Sequence, residues 1–387
     1  MAEDVASSTG RAAGESSRLA WIDRNLVSLC LGSLAIAVAA GLVQVSFGSY
    51  TMSITQAWQS VLDPAVLLNP HWLLNFLLGE GLMRTVTGFE GALPELSTTT
   101  LIVWNIRLPR VFVAMIVGMN LAVSGAIFQA VTRNELASPF ILGVSSGAGL
   151  LILLTLVVFP AMAAVLPLIA ALGGMAAFVL VYAIAWKGGT SPVRLVLAGV
   201  IVGTVFQSMQ TGLFFFADNI GVVQSAIAWT TGSLTGTDWE QVRTALPWTI
   251  IAMFLALVGA RQLNVLLLGE RTASSLGMNV ERMRFALSVV GVLAAAASIA
   301  VAGIVGFVGL IVPHVVRNVV GSDYKRLIVG CLFAGPALLV AADVGARLAI
   351  PVVIGGSGQM PVGIVTGLIG GPYFLYLMRK QEQLGEI

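Results

Sequence analysis

Charge is what this chain has least of. Only 10% of its 387 residues are Asp, Glu, Lys or Arg, against roughly a quarter in a soluble domain. So few charges cannot cover a water-soluble globule of this size, which excludes an ordinary soluble enzyme, a nucleic-acid binder and a disordered chain. Lysine is scarcer still. Lys187, Lys325 and Lys380 are the only three, and none ends a Gly-x-x-x-x-Gly-Lys-Ser/Thr loop, so the chain cannot hold a nucleotide in the P-loop manner. Neither of the two histidines, His71 and His314, has Cys or carboxylate neighbours in sequence, so no metal site is expected. Cys30 and Cys331 each lie in an apolar run, which argues against a disulfide framework.

What is present is apolar: 57% of the residues are hydrophobic, 43 are glycine, and the mean hydropathy is +0.95. A membrane-crossing helix needs roughly 17–25 mostly apolar residues. Ten segments qualify or nearly so: 26–47, 111–131, 141–158, 162–186 and 193–216, then 246–260, 285–301, 304–320, 327–349 and 361–378. The sixth is short, and almost no loop separates the third from the fourth or the seventh from the eighth. The expected fold class is therefore an all-α polytopic membrane protein of about ten transmembrane helices, over residues 21–387. Residues 1–20, rich in Ala, Ser and Gly, are expected to form a disordered cytoplasmic tail. Glu3, Asp4, Glu15 and Asp23 make the start unlike a cleavable signal, and the apolar run that follows is too long for one.

Lys and Arg concentrate in cytoplasmic loops. With ten spans and the N-terminus inside, 15 of the 20 basic residues fall on the inner side; Arg84, Arg107, Arg110, Arg243 and Arg347 are left outside. That split favours both termini in the cytoplasm. Glycines four apart (Gly143 and Gly147) or three apart (Gly303, Gly306, Gly309) suit close packing of many helices, since small residues let backbones approach in lipid. Of the acids, only Asp343 sits well inside a span; Arg347, four residues on, shares its helix face. The two read either as a self-neutralising pair or as part of a pathway. No chain of buried carboxylates exists to carry protons, which disfavours an ion-driven carrier, although unwound backbone can also coordinate ions.

The longest inner loop, 261–284, holds a short helix over 270–276 that Gly277 ends as a C-cap, then a second turn over 280–283. Two short amphipathic helices along the membrane face would serve either as a generic interfacial loop or as a dock for a soluble partner.

Several motifs then fall in order along the chain: Arg107-Leu108-Pro109-Arg110, Ser-Gly-Ala-Ile-Phe-Gln at 124–129, Asn-Glu-Leu-Ala-Ser-Pro at 134–139, Leu-Gly-Val-Ser-Ser-Gly-Ala at 142–148 and Leu-Val-Leu-Ala-Gly-Val at 195–200. Leu268-Gly269-Glu270 with Leu276-Gly277, Gly-Ile-Val-Gly-Phe-Val-Gly-Leu at 303–310 with Pro313-His314, Ala342-Asp343 with Arg347, and Pro361-Val362-Gly363 complete the series. Individually weak and jointly specific, they resemble the permease subunits of ABC importers for iron-siderophores, haem and vitamin B12, the type II importers.

The resemblance implies ten helices per subunit and a second permease subunit, identical or paralogous, around a central path. It also implies two cytoplasmic ATP-binding subunits, which bind the ATP and Mg, and an extracytoplasmic substrate-binding protein. This chain would hold no cofactor, no metal and no catalytic residue, and would sit in the bacterial cell membrane. In such permeases the loop after the sixth helix seats in the ATPase; here that carries over to Leu268, Gly269, Glu270, Leu276 and Gly277. Arg107, Arg110 and Arg347 match the outward arginines that pair with carboxylates of the binding protein, a task suited to guanidinium forks; helix-end anchoring is the plainer alternative. Asn134, Leu136, Thr190 and Ser191 match the cytoplasmic gate, while Ser191 equally suits an N-cap. The implied cargo is a ferric siderophore, with haem or vitamin B12 as alternatives and an ion-coupled secondary transporter as the rival class.

Two departures stand out. The outer segment 48–100 is long, and its Trp58, Trp72, Phe76 and Phe89 suggest an amphipathic surface helix or added contact for the binding protein. The acid usual in such permeases before Pro-Val-Gly is absent, replaced by Ile-Gly-Gly-Ser-Gly-Gln-Met at 354–360, expected to be a flexible insertion on the outer side.

Overall fold

Sixteen helices follow one another in the computed structural model, which describes residues 21–383 except 49, 51, 90, 218, 219, 354, 356 and 357. The expected tail over 1–20 and part of the 354–360 insertion lie outside the described residues. The helices are α1 (Arg24–Ser46), α2 (Ile54–Val61), α3 (Pro64–Leu67), α4 (Pro70–Leu78), α5 (Glu80–Thr87), α6 (Thr98–Thr132), α7 (Val144–Val158) and α8 (Leu166–Ala185). Then come α9 (Pro192–Phe214), α10 (Ile220–Thr231), α11 (Trp239–Leu267), α12 (Glu270–Ser275), α13 (Val280–Ala302), α14 (Val308–Val320), α15 (Tyr324–Val353) and α16 (Val362–Gln383). Among the described residues there is no β-strand.

Their starts follow ordinary capping chemistry, in which a short polar side chain takes up an orphan N–H of the first turn. Asp23 accepts from Leu26 N at 2.8 Å, Ser53 and Gln56 form a reciprocal capping box, and Asn69 accepts from His71 N ahead of Pro70. Asp238 and Gln241 repeat the box at α11.

The ten expected segments all fall on helices, but their lengths differ. Among the described residues seven helices are long and apolar enough to cross a membrane: α1, α6, the stretch Pro160–Ala185, α9, α11, α13 and α15. The pair Ile54–Leu67 and Pro70–Leu78, bent by 107°, would make an eighth if it acts as one span. Val144–Val158, Val308–Val320 and Val362–Tyr376 are shorter apolar helices. The sixth segment, expected to be short, lies in the 29-residue α11, which runs on through Pro247. α6 begins at Thr98 rather than at 111, passing through a π-helical turn at Val103–Arg107. Arg107 and Arg110 interrupt the apolar run but not the helix, because both guanidinium groups find partners inside the protein. α10 lies outside all ten expected segments.

α6 is the axis of the bundle. Val113, Ala114, Val117, Ala122, Val123, Ala126 and Ile127 are all fully buried, against α13, α14, α15 and α11. Lipid is as apolar as these side chains, so close backbone approach and interhelical hydrogen bonds hold such helices together. A Cβ on Gly125 would strike the carbonyl of Gly309, and one on Gly118 that of Gly335. Ser124 donates to Gly291 O at 2.7 Å, and Asn120 to Thr249 at 2.7 Å, stitching α6 to α13 and α11. A second cluster packs α7, α8, α9 and α10 against α13.

The near-absent loop between α13 and α14 is a non-helical stretch, 303–307, that opens on Gly303 (φ 68°) and closes on Phe307 (φ 65°), with Gly303, Ile304 and Val305 buried. Ile304 N donates to Trp229 O (2.9 Å), Ser233 N to Ala302 O (2.8 Å) and Gly363 N to Gly232 O (3.1 Å). Non-helical backbone within a membrane protein is tolerated when protein satisfies it in this way.

Candidate functional site

The charged cluster lies where the C-terminal end of α1 meets α6 and the later part of α15. Arg110 donates to Asp343 through Nε and Nη2, both at 2.8 Å, and through Nη1 to Gln359 Oε1 at 2.7 Å. Gln44 Nε2 donates to the same carboxylate. The expected Asp343–Arg347 pair is thus corrected: Arg110 reaches Asp343 from the facing helix as a two-pronged fork that occupies both carboxylate oxygens, and Arg347 turns to a backbone carbonyl instead. Gln359, two residues before Pro361, supplies the oxygen that accepts from Arg110 Nη1.

Arg107 and Arg347 cap α1 instead. Arg107 donates to Val45 O (2.6 Å) and Tyr50 O (2.8 Å), Arg347 to Gln44 O (3.0 Å). α1 has no basic residue in its own last turn, so these neighbours supply the cations that its carbonyl end favours. Gly48 lies so near that a Cβ there would sit 2.8 Å from both guanidinium groups. Relative exposures are 2% for Arg107, 5% for Arg110 and 7% for Arg347. In this structure all three are buried groups joining three helices rather than side chains displayed at a surface.

The segment 48–100 forms four short helices and the start of α6 rather than one amphipathic helix. Phe76 is buried and stacks between Trp72 and Trp104, each 5.3 Å away, with Trp239 at 5.9 Å. Trp104 Nε1 donates to Ser60 O at 2.9 Å and Arg243 to Phe76 O at 2.7 Å, fastening the segment to α6 and α11. His71 stacks on Phe89 at 4.2 Å, and Trp58 is half-buried.

In the expected inner loop, α11 absorbs residues 261–267, and the turn expected at 280–283 is the first turn of α13. One short helix, α12, remains where two were expected. Gly269 and Gly277 bracket it with φ of 98° and 81°, conformations that glycine adopts without strain. Leu268 and Leu276 are 59% and 63% exposed on either side. Glu270, its side chain 47% exposed, reaches the buried Arg284 at 2.6 Å.

Asn134 and Leu136 form one turn: Asn134 Oδ1 accepts from Leu136 N at 2.9 Å. Between them Glu135 lies near His314 Nδ1 (3.7 Å) and Arg317 (3.2 Å). The nearby His314 ring and the charge of Arg317 hold its carboxyl below the usual range, against an opposing push from partial burial. Thr190 is buried, its N–H and hydroxyl on the Glu281 carboxylate at 2.9 and 2.7 Å. Ser191 caps α9 through Arg194 N at 3.3 Å, as its alternative reading had it. Among the described residues no hydrogen bond joins the 134–136 turn to Thr190 or Ser191.

One feature went unread in sequence. Thr204, Gln207, Ser208 and Thr211 all lie exposed on α9, spaced three and four apart, so a single face of an apolar span is hydroxyl and amide. Helical spacing of polar residues within 193–216 was the available signal. A groove beside this face holds about 390 Å³, walled by Ser145, Ser146, Gln207 and Gln210. Among the described residues, Asp343 is the only carboxylate buried in a span, and it is fully engaged.

Known proteins share this architecture. A permease of a Fe(3+)-citrate import system from Bacillus subtilis is 41% identical over 323 residues, covering 81% of this chain and 94% of its own. A cobalamin import permease from Halobacterium salinarum is 42% identical over 290 residues, covering 74% and 75%. A hemin transport permease from Yersinia pestis is 37% identical, covering 73% and 84%. A solved structure reported as an inward-facing conformation of a metal-chelate type ABC transporter superposes with a TM-score of 0.72 at 25% identity, covering 91% of this chain and 99% of its own. Residues 35–380 match the FecCD transport family. The protein is a multi-pass membrane permease of the ABC importer class and belongs to the FecCD transport family.

Proposed function

We propose that the chain imports an iron(III) chelate of the ferric-siderophore type by alternating access, paired with a second permease and driven by two ATP-binding subunits. The polar face of α9 is the observation that carries this reading. The hydroxyls of Thr204, Ser208 and Thr211 donate back to Val200 O, Thr204 O and Gln207 O. It is therefore the exposed Gln207 amide, with no hydrogen-bond partner among the described residues, together with the spare acceptor capacity of the hydroxyls, that favours water or another protein over lipid against this face. A second permease copy packed across it would enclose a wet path lined by Thr204, Gln207, Ser208 and Thr211. The relative described as a Fe(3+)-citrate permease supports a chelate as cargo. An ion-coupled carrier is disfavoured, since the one carboxylate buried in a span among the described residues is neutralised by Arg110.

Delivery would come from an extracytoplasmic binding protein docking at the outer end. Arg107, Arg110 and Arg347 place three cations against one carboxylate there, a field that attracts acidic partners. Leu268, Gly269, Glu270, Leu276 and Gly277 would seat in the ATPase, with the two exposed leucines as the apolar contact. The turns at Asn134–Leu136 and Thr190–Ser191 would close the path toward the cytoplasm, with both termini on that side. The test is uptake into proteoliposomes holding the permease, its ATPase and its binding protein. Radio-iron siderophore should accumulate only with ATP inside; accumulation of hemin or cobalamin instead would reassign the cargo, and ATP-independent uptake would refute the class.

A further inference from the structure

Arg284, on the second turn of α13, touches the two inner motifs that the sequence treats separately. Its side chain is 3% exposed. Nη2 donates to Glu270 Oε1 at 2.6 Å, on α12; Nη1 donates to the Thr190 carbonyl at 2.5 Å, in the turn before α9. Glu281, one turn earlier on α13, lies 3.6 Å from Nη1 and accepts from Thr190 N, Thr190 Oγ1 and Tyr182 OH. Ser191 and Arg194 then lock the same turn to the head of α9: Arg194 donates to Gly189 O at 2.7 Å and to Ser191 Oγ at 3.2 Å. A continuous polar chain therefore runs from α12, flanked by its exposed leucines, to the first turn of the helix that carries the polar face.

We infer that Arg284 is the positioning residue through which movement of α12 reaches α9. This rests on the function proposed above. A guanidinium is planar and permanently charged, and its fork holds two acceptors at fixed angles. Buried here, it cannot trade either partner for bulk water. When α12 is displaced with the half-exposed Glu270, Arg284 either follows and pulls the Thr190 carbonyl with it, or is left buried at 3% exposure without that charged partner. Both outcomes bias the head of α9, and neither requires movement of α6, which is held on all sides. An ammonium at this position would meet Glu270 or Thr190 but not both in one plane.

The experiment uses the complete importer in proteoliposomes and reads substrate imported per ATP hydrolysed. Arg284→Gln should lower that ratio about tenfold while hydrolysis continues, and Glu270→Gln should lower it comparably. The double variant should be no worse than either single, because both remove the same link. Arg284→Lys keeps the buried charge, and should show the same fall in ratio if Arg284→Gln does not assemble. An unchanged ratio in a variant that assembles, or losses that multiply in the double variant, would overturn the relay. A wild-type complex that imports normally beside an unaffected variant removes only this inference; a wild-type complex that never imports removes the proposed function, and the relay with it.

Discussion

Arg110 and Asp343 meet across 233 positions of sequence through two hydrogen bonds of 2.8 Å each. The pair is almost wholly out of solvent, at 6% and 0% side-chain exposure, and clamps α6 to α15. Breaking one member of a buried pair leaves an uncompensated charge, whereas removing both leaves none.

Asp343→Asn should therefore destabilise by about 3–5 kcal/mol. Asp343→Leu combined with Arg110→Met should cost clearly less than either single change. Thermal unfolding of the detergent-solubilised protein measures both, and a double variant as poor as the sum of its singles would contradict the clamp.

Glycine positions separate by what their missing Cβ would meet. Gly125→Ala should cost about 1–3 kcal/mol or more, since the methyl would strike the Gly309 backbone. Gly32→Ala, on the exposed face of α1 with nothing within 4 Å, should be neutral or stabilising by about 0.5–1 kcal/mol. Equal melting shifts for the two would rule out backbone contact as the reason for glycine at 125.

The polar face of α9 predicts a labelling pattern. In a background with Cys30 and Cys331 replaced by alanine, Gln207→Cys and Ser208→Cys should react with a membrane-impermeant maleimide in the assembled importer. Ile250→Cys and Phe254→Cys on α11, 59% and 64% exposed as the parent residues, should stay unreactive in lipid. Reversed labelling would place lipid, not water, against α9.

Leu268→Ser with Leu276→Ser should weaken capture of the ATPase about ten- to a hundredfold, the loss expected for uncovering one or two leucines. Pull-down of the ATPase by the permease measures it directly, and undiminished capture would exclude α12 from that interface.

Glu135 gives a pH signature. Its carboxyl titrates below the usual value, so its stabilising contribution is present above the unfolded-state value near 4.5 and fades as pH falls through the lower folded value. Glu135→Gln should melt below wild type at neutral pH, with the two curves converging in acid. A gap that persists unchanged to acid pH would exclude the carboxylate's charge as its source.

Much of this could be read along the chain. Long apolar runs must become helices in lipid, where each backbone group needs a partner within its own segment; the ten segments therefore landed on helices. Gly269, Glu270 and Gly277 marked a short capped helix, and Ser191 announced the start of α9. Sequence could not say how far a helix continues past a charge. Arg107 and Arg110 looked like the edge of a span and an outward face, yet lie inside α6 because α1 offers bare carbonyls and α15 offers Asp343. Nor could it divide 48–100, whose helices close on an aromatic stack drawn from α4, α6 and α11.

Composition and order along the chain were enough to settle the solvent, the helical class and the family, because hydrocarbon imposes its demands one segment at a time. Which charge neutralises which, and which face of α9 goes uncovered, was left to packing. Those answers depend on partners as far as 303 residues apart, brought within 3 Å or so only when the helices have found their neighbours.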